Sequence, residues 1–412
     1  MSGSFDSKRQ RVDGTSLNDG PLSDFRAAMV SAMHAPLSQP PDSKETELCF
    51  HTILPLCRPA RITRLGDLTG LDRIGLPVVQ AVRPDALSEV TSLGRGLSTM
   101  EAAVGAIMES LERFYAESIP PDRIFLATAD DLNIPDALFE NLLVPHCQEN
   151  WRSRTIPWIT GIDVAMGSAQ AVPLELVHTC YTEPPSTYDG TFIRTTTGLA
   201  CHVTSHEAFL HGVYECIERD ALARAFATHG FFERMRIAHT GLGDGVDHLL
   251  SLAGERGISF ALWYAPSPTG VPVVWCQTIE TGPGEPILAL PTEGYSAGAN
   301  LAIAALNAML EALVTRAGAI SGARDDQTRR HYRRSTDAIV ANARHLILEE
   351  APLTPDAAAG WLPVFSLPSL VDRIVSAGLG PVLAVPVGSD AGTGVQCVKT
   401  ILPGTLPFSV VR

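Results

Sequence analysis

Two stretches of this 412-residue chain carry the same arrangement of charged side chains. Residues 101–113 read EAAVGAIMESLER and residues 207–219 read EAFLHGVYECIER, so both follow Glu-Ala, six residues, Glu, two residues, Glu-Arg. At about 100° per residue, offsets of roughly 0, 8 and 11 fall near 0°, 80° and 20° around a helix. Glu101, Glu109 and Glu112 therefore share one face, as do Glu207, Glu215 and Glu218. Three carboxylates on one face repel each other unless a cation sits opposite. Arg113 and Arg219, at about 120°, supply only part of that charge. Most other positions in both stretches are apolar, which predicts buried helices, and buried carboxylates need partners. Hard oxygens converging from several helices are the donors that Mg²⁺ with nucleotide phosphates requires. A solvated acidic face accounts for a single Glu-x-x-Glu-Arg; two copies in one frame favour the metal and nucleotide reading. A third, degraded copy reads IAALNAMLEALVT at 303–315 and keeps Ala304 and Glu311.

The elements that must position these groups follow from capping and periodicity. Ser98 and Thr99 precede the first copy and Thr204 and Ser205 the second, each able to cap a helix. Helices are predicted over Thr99–Ser118, Ser205–Thr228, Asn300–Ile320 and Ser335–Glu349. Strands are predicted over Leu76–Val82, Trp158–Val164, Ala171–Val177, Ser259–Tyr264, Val271–Glu280 and Pro381–Val387. This mixture predicts an α/β fold, with mixed sheets packed by the carboxylate-bearing helices, rather than a sandwich or a bundle. Residues 1 to about 20 are polar and aperiodic, which predicts disorder. A short helix is expected from Leu22 to about Met33, so residues 1–45 read as a flexible segment and 46–412 as one large domain.

Composition narrows the function classes. Lys plus Arg number 31 against 45 Asp plus Glu, a formal net charge of −14. Nucleic-acid and anionic-membrane binders need a basic face, so neither partner is expected. Aromatic residues are 6%, too few for stacking on many bases. No run of some eighteen consecutive apolar residues occurs, which argues against a membrane span. The eight cysteines form no Cys-x-x-Cys pair or zinc spacing, and their scatter suggests reduced thiols in the cytoplasm.

Around the carboxylates the chain resembles the YcaO family, ATP-dependent enzymes that modify backbone amides of peptides. The matching blocks are TGLDRIGLPVVQAVRP at 69–84, GRGLSTMEAAVGAIMESLERFYAE at 94–117 and TTTGLACHVTSHEAFLHGVYECIERDA at 195–221, followed by GYSAGANLAIAALNAMLEALVTRAGAISGARDD at 294–326 and VQCVKTILPG at 395–404. The resemblance implies a single large α/β domain that binds ATP and Mg²⁺ through helix carboxylates; no P-loop stretch is present. Carried over position by position, Glu109 with Glu112 and Glu215 with Glu218 are the paired carboxylates, and Glu207 is a further metal or nucleotide ligand. Arg95, Arg219, Arg316 and Arg324 fall in the nucleotide region, with Glu218, Arg219 and Glu311 as the catalytic set. Gly105, Val203, Asn307 and Val314 stand where the family commonly has a small hydroxyl residue, Asn, Arg and Gln. Those departures also allow a non-catalytic scaffold that presents a precursor peptide to another enzyme. The implied reaction phosphorylates a peptide amide oxygen while a side chain, sulfide or amine attacks, giving azoline, thioamide or amidine in a ribosomally made, post-translationally modified peptide. The tail ILPGTLPFSVVR lacks the alternating prolines of many azoline-forming members. The first block resembles the stand-alone and TfuA-associated branches, so a TfuA-like or leader-binding partner and a homodimer are the implied assemblies.

Other residues carry a functional and a plainer reading. RRHYRR at 329–334 reads as a grip on an acidic peptide or, more simply, a solvated helix start. His202 and His206 are proton carriers or hydrogen-bond partners, and Cys201 a sulfur relay or a small helix-entry residue. Asp325 and Asp326 read as site carboxylates or, more simply, a helix start. Gly94 and Gly96 permit close approach of backbone to phosphate or form a plain turn.

Overall fold

Sequence runs with turn residues between them divide into short strands and longer helices, and the computed structural model describes residues 20–34, 43–145, 150–231, 235–322, 338–349, 351 and 361–408. The chain begins with α1 (Gly20–Ala32) and α2 (Ser43–Ile53), then β1 (Arg64–Asp67), β2 (Val78–Val82) and β3 (Thr91–Arg95). α3 (Thr99–Glu117) follows β3 directly. Next come β4 (Ile124–Ala127), β5 (Ile156–Asp163), β6 (Ser168–Pro173) and β7 (Leu199–His202), which leads into α4 (Ser205–Phe226). β8 (Arg236–Ile237), α5 (Asp244–Glu255), β9 (Ile258–Tyr264), β10 (Val273–Glu280) and β11 (Thr292–Ala297) precede α6 (Leu301–Ser321). α7 (Ala338–Leu348), α8 (Leu367–Ser376), β12 (Leu383–Ser389) and β13 (Gln396–Ile401) complete the fold.

The strands form three antiparallel sheets: β1-β2-β3, β11-β10-β9-β8, and β4-β5-β12-β13-β7 with β6 paired to β5. The α/β class is as expected. The helices predicted around the carboxylates fall within one or two residues of α3, α4 and α6. Several strands have no counterpart in the sequence reading, among them β1, β3, β7 and β11. All are short, and β1, β3 and β11 also carry Gly66, Gly94 and Gly294, residues that weaken a strand pattern.

Alternation along β10 shows why both of its faces are covered. Val273, Trp275 and Ile279 join one core with Trp263 and the α4 residues Phe209, Val213 and Ile217. Val274 and Cys276 point the other way, into a core shared with α6 residues Ala304, Ala308 and Met309. Trp263 and Trp275 lie 4.4 Å apart between ring centroids and are fully buried, which anchors the sheet to α4. A third core joins α3 to β5, β12 and β13. The short helix expected near the N-terminus is α1, and its Leu22, Phe25, Met29 and Ala32 are buried in the α4 core. Among the described residues, packing against the α4 core thus starts at Leu22, because those four positions repeat at helical spacing.

By length and hydropathy α6 is apolar enough to cross a bilayer, although the sequence shows no unbroken apolar run. Two thirds of that window is buried inside the fold, so α6 is a core helix.

Candidate nucleotide site

Three strand–helix units, β3–α3, β7–α4 and β11–α6, build the site to one plan. Each helix opens on a polar cap: Ser98 Oγ accepts from Glu101 N at 3.2 Å, Thr204 Oγ1 from Glu207 N at 3.3 Å, and Asn300 Oδ1 from Ile303 N at 3.0 Å. Eleven residues after each cap stands a glutamate: Glu109, Glu215 and Glu311. Each takes a main-chain N–H from its own strand segment. Leu93 N donates to Glu109 Oε2 at 3.0 Å, Gly198 N to Glu215 Oε2 at 2.9 Å, and Tyr295 N to Glu311 Oε2 at 3.2 Å. The third copy is therefore a full structural unit, although its sequence is the most degraded.

Close approach of strand and helix is enforced by glycine. A Cβ on Gly94 would lie 1.9 Å from Ala102 O and 2.2 Å from Ala106 N; one on Gly294 would lie 2.2 Å from both Ala308 O and Ala312 N. A Cβ on Gly96 would meet Glu101 Cβ at 2.3 Å. Helix packing and the cap thus account for Gly94 and Gly96 without a phosphate.

Cross-links between the units close a cleft. Glu112 of α3 accepts from Cys201 N of β7 at 3.0 Å. Arg95 Nη2 of β3 lies 4.0 Å from Glu311 Oε2 of α6. Arg219 of α4 approaches Glu215 Oε1 at 3.7 Å and sits 5.7 Å over the ring of Tyr295 in β11. Arg219 Nε faces Glu218 Oε1 at 3.2 Å, yet both atoms are buried without a hydrogen bond. Arg113 pairs with Glu109 at 3.1 Å and Glu89 at 2.9 Å.

The electrostatics show one shared acidic field. Burial, followed by the charge of Glu109, pushes Glu112 well above the usual carboxylate range, with Glu215 adding to it against the Cys201 N–H. Burial raises Glu218 to about 8 despite Arg219, with Glu311 and Glu215 adding repulsion. Burial likewise raises Glu109, opposed by Arg113 and the Leu93 N–H. Carboxylates held this way lower their free energy when a cation arrives. Among the described residues, no group of three or more His, Cys, Asp or Glu side chains is drawn together closely enough to hold a metal ion alone. Mg²⁺ commonly takes one or two carboxylates and completes its octahedron with phosphate and water oxygens, so the orphaned Glu218 and Arg219 atoms fit a metal–nucleotide ligand.

Not every expected residue joins this cleft. Glu207 is held in the cap of α4: its Oε2 accepts from Thr204 Oγ1 at 3.1 Å and lies 2.5 Å from His202 Nδ1. Glu101 plays the matching part in α3, accepting from Leu97 N at 2.7 Å. Arg316 does not face phosphates. It is fully buried, its Nε 2.9 Å from Asp72 Oδ2 and its Nη2 2.5 Å from Glu280 Oε1, because five residues beyond Glu311 rotate it roughly 140° around α6. Arg324, Asp325, Asp326 and the RRHYRR cluster lie outside the described residues. Cys201 gives its backbone N–H to the site while its side chain joins the α3 core opposite Cys397. His206 carries a buried Nε2 with no hydrogen-bond partner, and burial lowers its pKa.

Two residues of the cleft escape motif reading. His211 takes the same place after its cap as Gly105 and Asn307; burial lowers its pKa, opposed by Glu215, with Arg95 and Glu311 also acting on it. The repeat frame itself was the signal for it. Tyr295 is the aromatic floor under Arg219; it lies in the block that opens at Gly294, but no feature of that block assigns it this contact.

The comparisons agree with this architecture. The family model described as YcaO cyclodehydratase, ATP- and Mg²⁺-binding, matches residues 93–406. An uncharacterized protein of Methanothermobacter thermautotrophicus is 31% identical over 85% of this chain and 91% of its own length. A protein of the tfuA 3′ region of Rhizobium leguminosarum bv. trifolii is 30% identical, covering 86% of each chain. Among solved structures, YcaO of Methanopyrus kandleri bound with AMPPCP and Mg²⁺ superposes with a TM-score of 0.65 at 22% identity, over 87% of this chain and 91% of that one. A heterocyclase in complex with substrate and cofactor gives 0.69 at 18% identity, over 93% of this chain and 56% of that one. The repeated capped helices, the carboxylate cleft and the matched length together make this chain a member of the YcaO family, ATP- and Mg²⁺-binding proteins of the cyclodehydratase type.

Proposed function

We propose that this protein uses ATP and Mg²⁺ to activate a backbone amide of a precursor peptide by O-phosphorylation, so that a sulfide, amine or side-chain nucleophile replaces the amide oxygen. The observation that carries this reading is the convergence of Glu109, Glu112, Glu215, Glu218 and Glu311 from three helices on one cleft edged by Arg95 and Arg219. An amide oxygen is a poor leaving group, and bound Mg²⁺–ATP supplies the phosphoryl group that makes it a good one. Arg219, fixed between Glu218 and the Tyr295 ring, is a permanently charged donor aimed at that transfer. Glu218 and Glu311 flank it and hold the cation that offsets phosphate charge.

The peptide substrate is supported by structural neighbours, one a heterocyclase in complex with substrate and another the Escherichia coli microcin synthetase complex with pro-MccB17 bound. A TfuA-like partner is supported by the relative from the tfuA region. We place the protein in the cytoplasm, where ATP is available and the seven described cysteines, all free, stay reduced.

The test is calorimetry with AMPPCP, with and without Mg²⁺, on wild type and Glu218→Gln, followed by mass spectrometry of a precursor peptide incubated with ATP. Binding that needs both Mg²⁺ and Glu218 is expected, and the peptide should lose one water or exchange oxygen for sulfur. A folded wild type that binds no nucleotide, or turns over ATP with every peptide unchanged in mass, would sink the proposal.

A further inference from the structure

Of the 31 lysines and arginines in this chain only three are lysines, Lys8, Lys44 and Lys399. Lys44 is exposed on α2, whereas Lys399, in β13, is 3% exposed. An ammonium is compact and strongly hydrated, so removing it from water is costly unless something anionic meets it. Lys399 Nζ donates to Thr195 O at 2.8 Å, and among the described residues it forms no ion pair. Burial lowers its pKa to about 8, with Cys216 and Glu215 opposing.

Lys399 is also at the wall of a pocket. Ile193, Thr195, Thr197, Arg219 and Phe408 line it with Lys399. The pocket adjoins the acidic cleft through Arg219, which belongs to both. Its outer wall is pinned: Asp220, fully buried, accepts from Leu406 N at 2.8 Å, and the Phe408 ring stands 5.9 Å from Tyr295. Two cations, Lys399 and Arg219, thus border a small, mostly apolar chamber that also carries Thr195 and Thr197.

Resting on the reading of the cleft as the nucleotide site, we propose that Lys399 is a substrate-contacting residue that, with Arg219, binds the amide oxygen receiving the phosphoryl group. That oxygen gains negative charge as the nucleophile adds, and a preorganised ammonium in a water-poor pocket stabilises it there. Lysine suits the place better than arginine because three donors on one small atom serve both Thr195 O and a substrate oxygen.

The test uses the whole chain and fluorosulfonylbenzoyl adenosine, an ATP analogue whose electrophile stands where the terminal phosphate would lie. At mildly alkaline pH it should label Lys399, mapped by peptide mass spectrometry. Mg²⁺–AMPPCP should block the labelling, and Lys399→Arg should abolish it. Wild type that binds Mg²⁺–AMPPCP but carries no label on Lys399 overturns the assignment, as does a label that Mg²⁺–AMPPCP does not block. Absence of Mg²⁺–AMPPCP binding in calorimetry sinks the nucleotide reading itself and this assignment with it, a failure distinguishable from the first two.

Discussion

Tyr295 gives its backbone N–H to Glu311 at 3.2 Å, repeating in β11–α6 what Leu93 does for Glu109 in β3–α3 at 3.0 Å. Val314 stands where the other two helices have Glu112 and Glu218, so α6 brings one carboxylate where they bring two. The cleft is therefore asymmetric, with its charge weighted toward α3 and α4.

Glu112→Gln separates binding from stability. Gln can still accept the Cys201 N–H, while the repulsion from Glu109 and Glu215 disappears. Stability should change by less than about 1 kcal/mol, in either direction, while affinity for Mg²⁺–AMPPCP falls by about tenfold or more. Chemical denaturation and calorimetry on the same samples check both halves; unchanged affinity would remove Glu112 from the site.

Gly94→Ala and Gly105→Ala should differ sharply, although the two residues touch. A Cβ on Gly94 meets helix backbone at 1.9 Å, whereas one on Gly105 comes no closer than 3.3 Å to Gly94 Cα. We expect Gly94→Ala to cost about 3 kcal/mol by forcing β3 off α3. Gly105→Ala should fall within about 1 kcal/mol of wild type, since helix propensity offsets the squeeze. Denaturant midpoints for the pair decide it.

Arg316→Met tests the placement of that arginine in the core. Asp72 would lose the cation 2.9 Å away, and Glu280 would keep Arg73, at 3.0 Å, and the Leu288 N–H, at 3.1 Å. Stability should fall by about 3–5 kcal/mol. Nucleotide affinity of the protein that remains folded should match wild type, whereas an arginine on the phosphates would give the reverse pattern.

Acid sensitivity should show at Glu117. Burial opposes its ionisation, but the Arg83 guanidinium, 2.7 Å from both carboxylate oxygens, and Ser88 outweigh it and hold its pKa below the usual range. A depressed folded-state pKa stabilises above the unfolded value, near 4.3 for Glu, and that contribution fades as pH falls through the folded value. Glu117→Gln should thus cost about 3 kcal/mol at neutral pH, and the gap to wild type should close in acid below about pH 4. Melting curves against pH would contradict this if the gap widened in acid.

Much of the site could be read from residue types, and the failures have physical causes. The carboxylate frame of α3 and α4 was legible because caps, apolar spacing and charge all recur together. The third unit was weaker in sequence because Ile303 replaces the first glutamate and Val314-Thr315 the last Glu-Arg, while the bond that places Glu311 uses the main chain, as in the other two units. Arg316 was misplaced because nearness in sequence to Glu311 says nothing about a roughly 140° turn around the helix. Lys399 lies inside the block VQCVKTILPG, but that block names no partner for it, and only the pairing of β13 with β7 brings it beside Thr195. Short strands such as β3, five residues with a glycine, carry too little alternation to be seen.

Since Leu93, Gly198 and Tyr295 hold the glutamates by main-chain N–H groups, their side chains are not what fixes the acidic cradle. Apart from Gly94, Gly198 and Gly294, which the packing demands, the residues along these segments can be exchanged and the main-chain bonds to the glutamates kept. The geometry of the acidic cradle is thereby uncoupled from the identity of most side chains around it.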